Sequence, residues 1–110
     1  MSFVNYKGYD KEMALRSVGK GWAPLIHELF DRLPEFSGTI KIIQVKEKYG
    51  GLRIYADYYQ EKLEQFITEL EKRSLTICEQ CGSAGKLRGG GWYHTLCDLH
   101  ANGRKPIEDN

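Results

Sequence analysis

The chain reads as an α+β protein, with helices packed on a small antiparallel sheet and a finger-like lobe following it; three observations lead there. Apolar residues recur at helical spacing through 10–18, 22–33 and 59–70, β-branched residues crowd into the hairpin 39–57, and the last third turns to cysteine, glycine and short polar runs. At 110 residues with 41% apolar content the chain suits one domain, 1–110. Within it we expect a helix-hairpin-helix lobe over 1–75, the finger lobe over 76–102 and a mobile tail over 103–110, which is polar and broken by Pro106.

Asp10 caps a first helix through Met13, Ala14, Leu15 and Val18, and Gly19 stops it, because a residue without Cβ suits a left-handed terminus. Gly19-Lys20-Gly21 is then a hinge. Pro24 opens a second helix, where its missing N–H costs nothing. Leu25, Ile26, Leu29, Phe30 and Leu33 form its apolar face, His27, Glu28, Asp31 and Arg32 its wet face, and Pro34 ends it. Ile40, Ile42, Ile43 and Val45 make one strand; Leu52, Ile54 and Tyr55 make the other across Glu47-Lys48-Tyr49-Gly50-Gly51. Alternation sends Ile40 and Ile42 to one face and Ile43 and Val45 to the other, so a helix should cover at least one face. The third helix runs through Tyr59, Leu63, Phe66, Ile67 and Leu70, keeps Glu61, Glu64, Glu69 and Lys72 outside, and gives way at Ser74.

Sixteen basic against fifteen acidic residues leave a net charge of +1. That balance excludes the broad positive field of a non-specific nucleic-acid binder, so any basic patch must be local. Met1 to Gly21 hold no sustained apolar run of the signal-peptide kind, and no stretch approaches the roughly twenty apolar residues of a membrane-spanning helix. We therefore expect a cytoplasmic protein with no membrane partner.

The cysteines carry the chemistry. Their number is odd, and Cys78-Glu79-Gln80-Cys81-Gly82 sets two thiolates in a tight knuckle, which in a chain without an export signal favours metal over disulfide. Cys97-Asp98-Leu99-His100 supplies a second pair on one face of a helical turn, with Lys86-Leu87-Arg88 and Trp92 to Leu96 as the hairpin between. Knuckle, hairpin and helix start make a treble-clef-like zinc finger. Zn²⁺ is the expected ion because it takes four tetrahedral ligands from thiolate and imidazole; four protein ligands leave no open position, so the ion is structural and no catalytic residue is assigned. His94 competes with His100 as fourth ligand, but its mid-strand position favours His100. Gly89-Gly90-Gly91 follows no buried strand and opens no helix, so it reads as a hairpin turn rather than a phosphate cradle.

Lys46, Lys48, Tyr49 and Arg53 gather charge and an aromatic at a hairpin tip, and with Lys41 they exceed the acids Glu47 and Asp57 nearby. With Trp92 they are the candidate partner-binding residues.

Val18-Gly19-Lys20-Gly21-Trp22, the Val45 to Arg53 hairpin, Cys-x-x-Cys-Gly, and Trp92 followed by Thr95-Leu96-Cys97-Asp98 together resemble a family of small uncharacterised proteins of phages and bacterial prophages. The resemblance covers most of residues 18 to 101 and implies a viral or prophage origin, a zinc ion and action in the host cytoplasm. It implies no set activity. Small phage proteins of this kind often act on the host, so by analogy the expected function is non-catalytic: binding a macromolecular partner, foremost a host or defence-system protein that it inhibits, with no small-molecule substrate. A second expectation is nucleic-acid binding through the basic hairpin 41–53, helped by Lys86 and Arg88. A third is a His-metal nuclease with His94 as general base, although no Asp-His pair precedes it.

Overall fold

The computed structural model describes residues 8–36 and 39–107. Helix α1 spans Lys11–Arg16, and the Asp10 carboxylate accepts the Met13 N–H at 2.9 Å, as the capping pattern requires. Gly19 is not left-handed: its φ is −65°. Its need for glycine is one of space, since a Cβ there would overlap the Glu79 carbonyl, and one on Gly21 would overlap the Cys78 carbonyl. The expected hinge is thus the seat of the cysteine knuckle, a 3₁₀ turn over Lys20–Trp22 whose Gly21 N–H donates to Glu79 O at 2.9 Å. Helix α2, Ala23–Arg32, follows without a break, burying Leu25, Ile26 and Leu29, and a 3₁₀ turn at Leu33–Glu35 carries Pro34.

Strands β1, Ile42–Lys48, and β2, Gly51–Ala56, pair antiparallel with Val45 opposite Ile54, Lys46 opposite Arg53 and Lys48 opposite Gly51. Strict alternation fails at the start of β1. The register slips between Ile42 and Gln44, so Ile42 and Val45 are both buried while Ile43 is pushed partly outward. The strand therefore has one apolar face where the sequence suggested two.

Helix α3, Glu61–Ser74, packs on β2 and buries Leu63, Phe66, Ile67 and Leu70 in the core; Tyr59 precedes it and is 71% exposed, so the helix starts later than its apolar pattern. This helix also closes the edge of β2. The outward N–H groups of Leu52 and Ile54 donate to Ser74 Oγ at 2.9 Å and Glu71 Oε2 at 3.0 Å, leaving neither free for another strand. Arg73 ties α3 to α2 by donating to both carboxylate oxygens of Glu28, at 3.0 and 3.1 Å.

The second sheet pairs β3, Lys86–Arg88, with β4, His94–Leu96. Residues 104–107, expected to be part of a mobile tail, are stitched to the sheet instead: Gly89 N–H donates to Lys105 O at 3.0 Å and Ile107 N–H to Leu87 O at 2.9 Å. The rest of that tail, 108–110, lies outside the described residues. Among the described residues no helix follows β4. Cys97 to Ala101 form a single turn, with His100 N–H on Cys97 O at 3.2 Å and Ala101 N–H on Asp98 O at 3.3 Å.

Buried bonds join this lobe to the rest. Trp22, fully buried, donates its indole N–H to Ile77 O at 2.9 Å, and the Thr95 hydroxyl donates to Gly50 O at 2.7 Å. Among the described residues no helix is long and apolar enough to cross a membrane.

Candidate metal centre

The knuckle is built by its backbone. Cys78 N–H donates to Ser83 O at 2.7 Å and Gly82 N–H returns to Cys78 O at 2.9 Å, a reversal that needs Gly82 at φ 85°. Glu79 N–H donates to Thr95 O at 2.9 Å, which fixes the knuckle against β4, and Cys97 leaves the end of that strand. The turn after Cys97 then swings His100 back towards the thiols.

The result is a cluster in which one donor atom from each of Cys78, Cys81, Cys97 and His100 lies within 4.8 Å of all the others. Cys81 and Cys97 sulfurs are 3.7 Å apart; His100 Nδ1 lies 3.3 Å from the Cys97 sulfur and 3.8 Å from that of Cys78. A tetrahedral ion with bonds of about 2.3 Å to sulfur and about 2.0 Å to nitrogen spaces its ligands by about 3.5 to 3.8 Å, so the donors already stand close to a coordination tetrahedron. A disulfide needs about 2.05 Å, and all three cysteines are free. This set can bind a metal ion.

No protein-family model, curated protein or solved structure matches this chain.

The thiols are prepared unequally for such an ion. Burial pushes the Cys78 thiol up, but hydrogen bonds from the backbone of Cys97, Cys81 and Gln80 outweigh it and leave a net lowering. Cys81 is lowered to about 7, chiefly by the Ser83 hydroxyl and backbone N–H. Cys97 is raised, because burial outweighs the backbone bonds from His100 and Leu99.

Two side chains border the centre without joining it. His94, the competing ligand, turns away: its Nδ1 lies 2.7 Å from Glu79 Oε2, while Glu79 Oε1 accepts the Thr95 N–H at 3.3 Å. The histidine named in the nuclease expectation is thus joined to the knuckle through Nδ1. No second group of three or more metal-ligating side chains stands beside it among the described residues.

Arg88, read from the sequence as a helper in nucleic-acid contact, is withdrawn from solvent. Its guanidinium donates to Leu96 O at 2.9 Å, Arg104 O at 3.1 Å and Asp98 Oδ1 at 2.9 Å, clamping the turn that carries Cys97 and His100. Sequence reasoning missed this role, because nothing local marks three acceptors that only the fold collects. Arg104 does the same for the glycine loop, donating to the carbonyls of Gly89, Gly90 and Trp92. Carbonyls rather than N–H groups converge there, so the loop faces a cation and is no cradle for phosphate.

The remaining candidates sit on two adjoining tips. Tyr49 and Trp92 are 64% and 73% exposed, Lys48 is exposed, and Lys46 and Arg53 are half-buried on the outer face of β1 and β2. The Lys46 ammonium stands 5.9 Å from the Tyr55 ring centroid and that of Lys48 5.5 Å from the Tyr49 ring.

Proposed function

We propose that this chain is a non-catalytic, zinc-stapled binding protein. One Zn²⁺ held by Cys78, Cys81, Cys97 and His100 closes the C-terminal lobe, in a treble-clef-like finger whose helix is reduced to one turn, and the two hairpin tips present a rigid surface to a protein partner. Zinc is favoured by the donor set, three thiolates and one imidazole, which suits a structural tetrahedral site better than an oxygen-seeking ion. With four protein ligands the ion has no place for water or substrate, so its contribution is to folding rather than to chemistry.

The observation that carries the binding reading is the display of large aromatics on backbone that is held still. Tyr49 and Trp92 are largely solvated, yet Gly50 beside Tyr49 is bonded to buried Thr95, and the Trp92 carbonyl is held by Arg104 at 2.6 Å. Exposed, pre-ordered aromatic side chains are the anchors protein interfaces use, since little entropy is lost when they dock. The resemblance to phage and prophage proteins favours a host or defence-system protein as the partner, with inhibition as the outcome.

The test is affinity capture of the tagged, zinc-loaded chain from bacterial lysate, repeated with Tyr49→Ala and Trp92→Ala. A stoichiometric protein that is lost with these variants is the expected result. Absence of any stoichiometric partner, or capture of nucleic acid alone, contradicts the reading.

A further inference from the structure

Beside the two tips runs a groove of about 490 Å³ between β2, α3 and the finger hairpin. Its apolar wall is Leu75 from the end of α3, Leu87 from β3, and the rings of Tyr93 and Tyr49. A smaller depression of about 280 Å³ continues past Tyr49 and Tyr93 to Trp92.

The rim carries three cations, Lys48, Arg53 and Lys72, against one carboxylate, Glu71. All three cations border the groove, and among the described residues none of them is in an ion pair. The carboxylate lining it, Glu71, is occupied at Oε2 by the Ile54 N–H. On the outer hairpin face Lys46 stands directly opposite Arg53, an arrangement that costs stability because like charges face each other. Such an excess is relieved by an anionic ligand.

The patch is also short. The next depression along α3 shares Thr68 and Lys72 with the groove and adds three carboxylates, Glu61, Glu64 and Glu69, beside Tyr59 and Gln65. A polynucleotide continuing in that direction would meet carboxylates, whereas a brief acidic stretch would not. The aliphatic floor of Leu75 and Leu87 likewise suits an inserted side chain better than a stacked base.

We propose that this groove docks a short acidic segment of a protein partner, an aliphatic or aromatic side chain resting on Leu75, Leu87 and Tyr93 with flanking carboxylates on Lys48, Arg53 and Lys72. The assignment rests on the protein-binding reading above and names the chemistry of the partner. It makes the metal lobe one wall of the site, so that loss of zinc removes Leu87 and Tyr93 from the groove.

The experiment is selection of displayed random short peptides on the zinc-loaded full chain, followed by fluorescence anisotropy with the enriched peptides. Enrichment of Asp and Glu around a Leu, Phe or Trp is expected. Affinity should fall about tenfold or more for the double variant Lys48→Glu, Arg53→Glu, fall for Leu75→Ser, and stay unchanged for Lys62→Glu on the far side of α3. Circular dichroism and zinc content confirm that each variant is folded. Enriched peptides without acidic bias, binding indifferent to Lys48→Glu, Arg53→Glu, or displacement by single-stranded oligothymidylate at concentrations no higher than the peptide's own would overturn the proposal. A captured protein partner insensitive to these reversals would sink the groove alone and leave the binding reading standing; failure to capture any protein would remove both.

Discussion

Tyr49 holds a backbone conformation that tyrosine disfavours. Its φ is 55° and that of Gly50 is 83°, the type I′ geometry that joins Lys48 to Gly51 in two residues and is cheapest with Asn-Gly. A bulky residue in the left-handed region costs about 1 kcal/mol, and here the ring it carries is mostly in solvent. Tyr49→Asn should therefore leave stability unchanged or raise it by up to about 1 kcal/mol while weakening partner binding. Urea unfolding beside a binding assay checks this, and a variant clearly less stable than the parent would show that the ring is structural.

Glu71 gives a prediction of opposite kind. Burial raises its carboxyl above the ordinary 4.5, although the Ile54 N–H and the Arg53 charge pull it back in part. A carboxyl whose folded value is raised binds its proton more tightly in the native state, so its contribution is most favourable at pH below 4.5 and is lost as pH rises through the raised value. Glu71→Gln keeps an acceptor for Ile54 and cannot ionise. The parent should lose stability relative to Glu71→Gln between pH 4 and pH 7; a difference that stays flat, or moves the other way, in denaturant titrations at the two ends would refute the assignment.

At the scale of elements, the sequence told most where a single periodicity governed. The α2 and α3 stripes are real because Leu25, Ile26 and Leu29, and Leu63, Phe66, Ile67 and Leu70, each lie on one buried face. The strand was misread where alternation is broken, since a register slip between Ile42 and Gln44 has no signature in a run of β-branched residues. Gly19 and Gly21 were misread for a related reason: their requirement is the close approach of a knuckle sixty residues away in the chain, roughly, which local rules for glycine do not see.

The closed edge of β2 belongs here too. Ser74 Oγ donates to Glu71 O at 2.6 Å while accepting the buried Leu52 N–H, so the end of α3 and the edge of the sheet share one hydroxyl. Ser74→Ala should cost about 1 to 3 kcal/mol, the penalty of a buried N–H left without a partner. A loss under a few tenths of a kcal/mol in thermal or urea unfolding would mean that the amide finds another acceptor.

For the molecule as a whole, the proposed zinc would hold the C-terminal lobe together. Structural zinc sites bind with roughly 10 to 16 kcal/mol, comparable to the whole stability of a domain, which is roughly 5 to 15 kcal/mol. Chelation should therefore free the amides of residues 78–101 to rapid hydrogen exchange while those of Leu63 to Leu70 stay protected by the helical core. Uniform protection before and after chelator would show that the finger stands without its ion. Acid should act in the same direction, because protons compete with the proposed ion for its thiolates.

The four-residue donor set was legible from spacing because two short pairs needed only to meet, and the fold brings all four donors within 4.8 Å of one another. The groove was not, since Leu75, Leu87 and Tyr93 come from three elements with no shared pattern. Arg88 shows the same limit, a charge that composition places at the surface and the fold places inside.

Zinc K-edge X-ray absorption on the purified chain tests the central claim most directly. The account requires one stoichiometric zinc with three sulfurs at about 2.3 Å and one nitrogen at about 2.0 to 2.1 Å. A coordination sphere containing water oxygen or fewer sulfurs, or protein that binds no zinc, would contradict it.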